Sequence, residues 1–338
     1  MRRKIHALWG VIGCLLLLMN PNEVAQSARE AMAVWSHAYA PSMFAYFVLM
    51  DAICSREAMA LYERLLHRVT MRWFGCPGRV SGAMMISWMA GSPAGAIAMK
   101  KSADGLTKAQ YARAAIVCSG VSPAFLLGVV GVGMLNSGEM GRILVCAQGL
   151  ATVMTGLIFR RAWKMDTEMI CREVQAETAA ANPMREAAIQ MLTVCGWMIV
   201  FSVLSGVVVR IVPIAGGWLL PFLEITGGCL AIAGMPMPEV LRMTSIAFVC
   251  GLSGAAIFLQ NHIHLHDVSW RRLLLGKFVT AVLMALFSYL QLRIFAFPFW
   301  GMDMWRFTAF ETSVFLGGAL TIAVWGMVAL GSRAKRIG

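Results

Sequence analysis

Apolar runs of about twenty residues recur along this chain, separated by short polar stretches, and that recurrence limits what it can fold into. Within a bilayer every backbone N–H and C=O needs an internal partner, so only helices or closed barrels can cross it. The runs lack the strict in–out alternation of barrel strands, and helices are therefore expected. Composition agrees: hydrophobic residues make up 59% and charged residues 14%, where a soluble domain carries roughly a quarter charged residues. A chain of 338 residues is long enough for a soluble core, so the distribution of apolar residues decides the class, not the length. The net charge of +12 would suit nucleic acid. The basic residues, however, sit at the ends of the apolar runs, where membrane proteins place them to set orientation. The expected partner is a lipid bilayer, with no nucleic acid. The nine cysteines form no CxxC pair and no metal-type spacing. Cys14, Cys54, Cys118, Cys146, Cys195, Cys229 and Cys250 lie within apolar runs and read as small hydrophobes.

The first run, Ile5 to Met19, follows Met1-Arg2-Arg3-Lys4. Ala25-Gln26-Ser27 loosely resembles a signal cleavage site, but a retained first helix is expected because many spans follow. Residues 1–31 thus form an N-terminal helix and loop. Span two is expected over Met32–Cys54, followed by a basic stretch with Arg56, Arg64, Arg68, Arg72 and Arg79. The apolar run Ser81–Met99 is broken by Gly91-Ser92-Pro93-Ala94-Gly95 and flanked on its far side by Lys100, Lys101, Lys108 and Arg113. Bases on both flanks of a Gly/Pro-interrupted run predict a re-entrant hairpin, since non-helical backbone at membrane depth needs protein or a cavity around it. Spans three and four are Ala112–Leu135 and Met140–Phe159, joined at Asn136-Ser137-Gly138-Glu139. Residues 160–186 read as a cytoplasmic helical linker. Span five is Ala187–Val209, and a second interrupted segment, Trp218–Ala233, contains Pro221, Glu224 and Thr226-Gly227-Gly228. Span six is Met243–Gln260, span seven Leu273–Phe297, and the last Phe307–Leu330, before a basic tail with Arg333, Lys335 and Arg336.

With both termini cytoplasmic, the layout leaves outside only Arg29, Arg142, Arg210, Arg242, Arg293 and Arg306 of the 29 Lys and Arg residues. That asymmetry fits a cell (inner) membrane protein with cytoplasmic basic loops. The expected fold is an all-α polytopic membrane protein of about eight transmembrane helices and two re-entrant hairpins. Each half reads span, hairpin, span, span, over residues 32–159 and 187–297, with 298–338 forming a C-terminal helix and tail. The first hairpin opens to the cytoplasm and the second to the opposite side, an inverted-topology repeat. Such repeats commonly build secondary transporters, which hold solute near the midplane where broken helices meet. Glycines that merely allow close helix packing are the alternative reading of each break.

Phe47-Val48-Leu49-Met50-Asp51 and Gly91-Ser92-Pro93-Ala94-Gly95-Ala96 resemble the FVLSE and GYPAGA stretches of the YlbJ family of sporulation integral membrane proteins. Ser122-Pro123-Ala124-Phe125 with Gly128, Val129, Val130, Gly131, Val132 and Gly133 is similar to that family's NPLF…G…VGVG segment. Leu223-Glu224-Ile225-Thr226-Gly227-Gly228 resembles its LLEMTNG, and Gly251-Leu252-Ser253-Gly254 followed by Gln260 resembles its GFSGLSVHMQ. The likeness spans roughly Tyr39 to Leu290. It implies a Gate, or nucleoside-recognition, domain related to concentrative nucleoside transporter cores, in a family tied to endospore formation. Two departures stand out: the family's Asn-rich entry to span three is here Cys118-Ser119-Gly120-Val121-Ser122, and a family His is here Phe258.

The expected solute site, lined by the hairpins around Gly91–Gly95 and Glu224–Gly228 and by span breaks near Ser119–Pro123 and Ser253–Gly254, comprises Gly91, Ser92, Pro93, Gly95, Ser119, Ser122, Pro123, Glu224, Thr226, Gly227, Ser253, Gly254 and Gln260. Glu224 is the sharpest of these, because an intramembrane carboxylate faces a cavity, pairs with a base or carries a proton. It could equally cap a hairpin helix. Asp51 and Glu224 are the expected ion- or proton-coupling residues, although Asp51 could equally pair with Arg56 at the interface. Gln260 and Asn261 are read as the end of span six. His262, His264 and His266 alternate, so they share no helix face, and a cytoplasmic loop rather than a metal site is expected. Trp35, Trp218, Trp300 and Trp305 fall near proposed boundaries, as in an interfacial belt. No nucleophile–base pair, HExxH, GxSxG or phosphate loop is present, and neither an enzyme activity, a cofactor nor a metal is expected. A small-molecule solute is the expected partner, with a homo-oligomer left open.

Overall fold

The computed structural model describes residues 11, 13–163, 182–212, 219–265 and 267–294. The expected last span, the Trp300 and Trp305 positions, most of the 160–186 linker, Trp218, His266, Phe297 and the start of the first run lie outside the described residues. Those that are described build helices joined by short breaks, with no strand among them.

Helix α1, Pro21–Val34, runs through a wide turn at Trp35–Tyr39 into α2, Ala40–Ile53. The Ala40 N–H reaches back to the Trp35 carbonyl, five residues away. Pro41 explains the widening, since its ring crowds the preceding turn and it carries no N–H of its own. The helix thus begins well before the expected Met32, and Trp35 lies near its middle. Its indole Nε1 donates to the Met191 carbonyl at 3.1 Å. The basic stretch forms α3, Arg56–Trp73, capped by Ser55 Oγ.

The first interrupted run is α4, Ser81–Ala90, and α5, Ala94–Lys101. Helix α6, Lys108–Val117, starts in a capping box between Thr107 and Gln110. After a break comes α7, Phe125–Met134, wound in π turns, and then α8, Gly138–Ala162, capped by Ser137. Helix α9, Pro183–Ile211, is capped by Asn182. The second interrupted run is α10, Leu220–Leu223, and α11, Ile225–Ala233. Helix α12, Glu239–Leu252, breaks at Ser253 and continues as α13, Gly254–His264; α14 is Trp270–Ile294.

Span six therefore runs beyond Gln260. His262 and His264 lie on α13, not in a loop, because nothing before Leu265 stops the helix. Among the described residues no group of His, Cys, Asp and Glu is arranged to hold a metal.

Four stretches are long and apolar enough to cross a membrane: Gly138–Ala162, Pro183–Ile211, Glu239–His264 and Trp270–Arg293. At 1.5 Å per residue, α8 spans about 37 Å, more than a hydrocarbon core. Helix α14 shows how such a helix divides its surface. Leu274, Phe278, Val282 and Leu286 form an exposed row at i+4 spacing, whereas Leu273, Lys277, Ala281, Met284 and Ser288 form a buried one. An exposed apolar row on a long helix suits a surface that faces lipid. This is a helical membrane-embedded protein.

Helix α14 packs on α12 and on α8, while α9 packs on α1 and α2. Small residues permit the closest approaches. A Cβ on Gly251 would lie 2.5 Å from Ala281 Cα, and one on Gly131 2.6 Å from Gly141 Cα. Across α8 and α14 the hydroxyls of Thr155 and Thr280 are 3.0 Å apart. Arg113 on α6 is buried, and its two terminal nitrogens donate to the Trp163 carbonyl at 2.7 Å and the Gly75 carbonyl at 2.8 Å. The first of these carbonyls follows the C-terminus of α8, the end of a helix that attracts a cation.

Candidate functional site

Four interruptions of helical backbone lie in the core, and they pack against one another in pairs. The first is Gly91-Ser92-Pro93, between α4 and α5. Gly91 has φ +72°, a conformation that only glycine adopts cheaply, and it ends α4. The second break runs from Cys118 to Ser122, with Pro123 opening the helix that follows. Ser92 N–H donates to the Gly120 carbonyl at 2.8 Å. A Cβ on Gly95 would sit 2.4 Å from the Cys118 carbonyl. The second break is held from the other side by Gln148 on α8, whose amide donates to the Val121 carbonyl. Within it, Ser119 Oγ–H donates to the Ile116 carbonyl at 2.8 Å, and Ser122 Oγ accepts the Phe125 N–H at 3.2 Å. Ser119 and Ser122 are both buried.

The third break is at Glu224, between α10 and α11. Its carboxylate accepts the N–H of Thr226 at 2.9 Å and of Gly227 at 2.5 Å. A negative group at an exposed helix N-terminus is favoured by both the unpaired N–H groups and the helix dipole. Thr226 Oγ1 is buried and has no partner among the described residues. The fourth break is Ser253-Gly254, between α12 and α13. Both residues have positive φ, +70° and +67°. For serine this left-handed conformation is a strained one that surrounding structure has to hold in place. The fourth break lies on the third: a Cβ on Gly254 would be 3.3 Å from Ile225 N and 3.4 Å from the Leu223 carbonyl.

Two side chains join the two pairs. Asn261 on α13 donates from Nδ2 to Ser92 Oγ at 3.1 Å. Lys277 on α14 is 2% exposed. Its Nζ donates to the Ser119 carbonyl of the second break and, at 2.9 Å, to Ser253 Oγ of the fourth. Among the described residues no carboxylate pairs with this ammonium.

Of the residues expected at a site, Gly91, Ser92, Gly95, Ser119, Ser122, Ser253 and Gly254 come together, with Pro93 in the first break and Pro123 directly after the second. Glu224, Thr226 and Gly227 lie beside Gly254, and Glu224 takes the helix-capping role that was its alternative reading. Gln260 is buried on α13, but it is the next residue, Asn261, that reaches another break. The side chain of Asp51 lies outside the described residues; its backbone is in the last turn of α2.

Lys277 was the residue that sequence reasoning missed. The charge layout leaves it among the bases assigned to the cytoplasmic side, although it falls within span seven. The available signal was its depth: four residues past Leu273 it is already inside the apolar run, where an ionisable residue is itself a functional hint. Compared with known proteins, the chain matches no family model, no curated protein and no solved structure.

Proposed function

We propose that this protein is a transporter-like permease of the cell (inner) membrane that moves a small polar or anionic solute by alternating access. The meeting of four breaks in one buried cluster carries this reading, because broken helices expose backbone N–H and C=O groups that can exchange a protein partner for a solute. The element order supports it. A long helix, a broken pair, a broken helix and a long helix occur from α1/α2 to α8 and again from α9 to α14. The first helices of the two halves pack together, and so do the last. About eight crossings, two hairpins and an inverted repeat with both termini cytoplasmic are the arrangement proposed. A Gate-type domain in a sporulation-associated protein is the family setting that the motif resemblance suggests.

The test is a thermal-shift screen of detergent-purified protein with nucleosides, amino acids and dicarboxylates, followed by uptake of any stabilising compound into proteoliposomes. A ligand that binds only the folded state raises the midpoint. Glu224→Gln keeps one acceptor for the helix terminus, so it should cost only about 1 kcal/mol of stability, while uptake should fall at least tenfold. Normal uptake in that variant removes Glu224 from the mechanism.

Orientation is testable independently. In a Cys14→Ala background, which removes an exposed thiol, Glu139→Cys should react with an impermeant maleimide on intact cells. Asp104→Cys should react only after permeabilisation. The reverse pattern inverts the proposed topology.

A second reading is a non-transporting membrane protein that supports spore or cell-envelope assembly. It is favoured by the way Glu224 and Lys277 are satisfied by the chain's own backbone and hydroxyl groups. Silent mutations throughout the four breaks, with loss of function from charge reversal in the 160–186 linker, would select it.

A further inference from the structure

We infer that the second and fourth breaks form a monovalent-cation site which the chain fills with its own Lys277 ammonium. Helix α6 ends at Val117 and α12 at Leu252, so each turns the negative end of its dipole toward the break that follows. Lys277 Nζ touches one group from each break, the Ser119 carbonyl and Ser253 Oγ. Both are oxygens, one a main-chain carbonyl and one a hydroxyl, and neither carries a formal charge. Unwound carbonyls at helix C-terminal ends are the ligands with which broken helices hold a coupling sodium ion. An ammonium ion offers three donors to the same kind of oxygen set.

Asn261, fully buried, uses its amide Nδ2 on Ser92 and leaves the acceptor Oδ1 without a partner. Among the described residues no acid pairs with Lys277, and the partners of its Nζ are a backbone carbonyl and a hydroxyl. Ser253 keeps its strained left-handed backbone at the point where its hydroxyl meets the ammonium, Oγ also donating to the Cys250 carbonyl at 3.2 Å. The consequence for transport rests on the carrier reading: with the position already filled from within, sodium is not the coupling ion at this site.

The experiment removes the tether and asks whether a free cation takes its place. Lys277→Ala is purified in detergent, and its unfolding midpoint is measured in choline chloride, sodium chloride and n-propylammonium chloride at equal ionic strength. The variant should unfold below wild type in choline. Sodium or propylammonium should raise its midpoint by about 2–4 °C, saturably, with no such difference between salts in wild type. Equal midpoints in all three salts overturn the site, as does a wild type that responds to sodium as strongly as the variant.

If Lys277→Ala is too unstable to purify, Lys277→Gln gives the second reading. Glutamine retains N–H donors for Ser119 and Ser253 but no charge. A midpoint equal to wild type shows that only hydrogen bonds were needed and overturns the proposal; a clear loss supports it. Neither measurement uses transport. A positive result with no solute ever taken up leaves the cation site standing and ends the carrier reading, whereas uptake with flat salt responses does the opposite.

Discussion

Gly91→Ala should lower the unfolding midpoint by about 10 °C or more, or prevent a monodisperse protein from forming. Two effects add. Gly91 has φ +72°, which an L side chain adopts only at a cost. A Cβ there would also lie 2.3 Å from Ser122 N and 2.7 Å from Ser122 Cα. Those are backbone atoms of the second break and cannot rotate away, so the two breaks would have to separate. The hydrogen bond from Ser92 N–H to the Gly120 carbonyl, one residue further on, would open with them. Gly128→Ala is the control: among the described residues nothing lies within 4 Å of its Cβ position, and its midpoint should stay within about 2 °C of wild type. Differential scanning fluorimetry on both variants decides the matter. A Gly91→Ala midpoint as close to wild type as that of Gly128→Ala would mean that the first two breaks are not packed together.

Gly251→Val should act on the other pair with comparable force. Its Cβ would sit 2.5 Å from Ala281 Cα and 2.9 Å from Ala281 N, again backbone. Helix α12 would be driven from α14 along the buried row that carries Lys277 one turn before Ala281. The ammonium would then lose its place against Ser253, so overpacking and the loss of a buried charge's partner combine to cost about 3 kcal/mol or more. Gly196→Val, on α9 with no described residue within 4 Å of its Cβ, should cost no more than the helix preference of a β-branched residue, well under about 1 kcal/mol. Size-exclusion profiles and unfolding midpoints separate the outcomes. Equal behaviour of the two valine variants would rule out the tight α12–α14 contact.

Much of the helical layout was legible from the residues. The runs read as spans four, five and seven correspond to α8, α9 and α14, with ends that differ by a few residues. Gly91-Ser92-Pro93 and the Glu224 region both break their helices, because glycine and proline clustered in an apolar run weaken the helix there. The site was less legible. Gln260 and Asn261 are neighbours of similar chemistry, and only the packing of α13 on the first break selects Asn261. Glu224 in an apolar segment announces a need for a partner without saying which, and the partner is its own following helix. Lys277 follows Arg271 and Arg272 so closely that it reads as a third flanking base.

The local code of this chain settles that it is helical, that it is apolar enough for a bilayer, and where its helices are interrupted. These follow from side-chain hydrophobicity and from backbone freedom, both properties of residues close together in sequence. Tertiary structure alone decided which interruptions meet. Ser119 and Lys277 are 158 residues apart, and Ser92 and Asn261 169. A buried polar group takes whichever partner the packing of distant helices delivers, and nothing in its own neighbourhood specifies that choice.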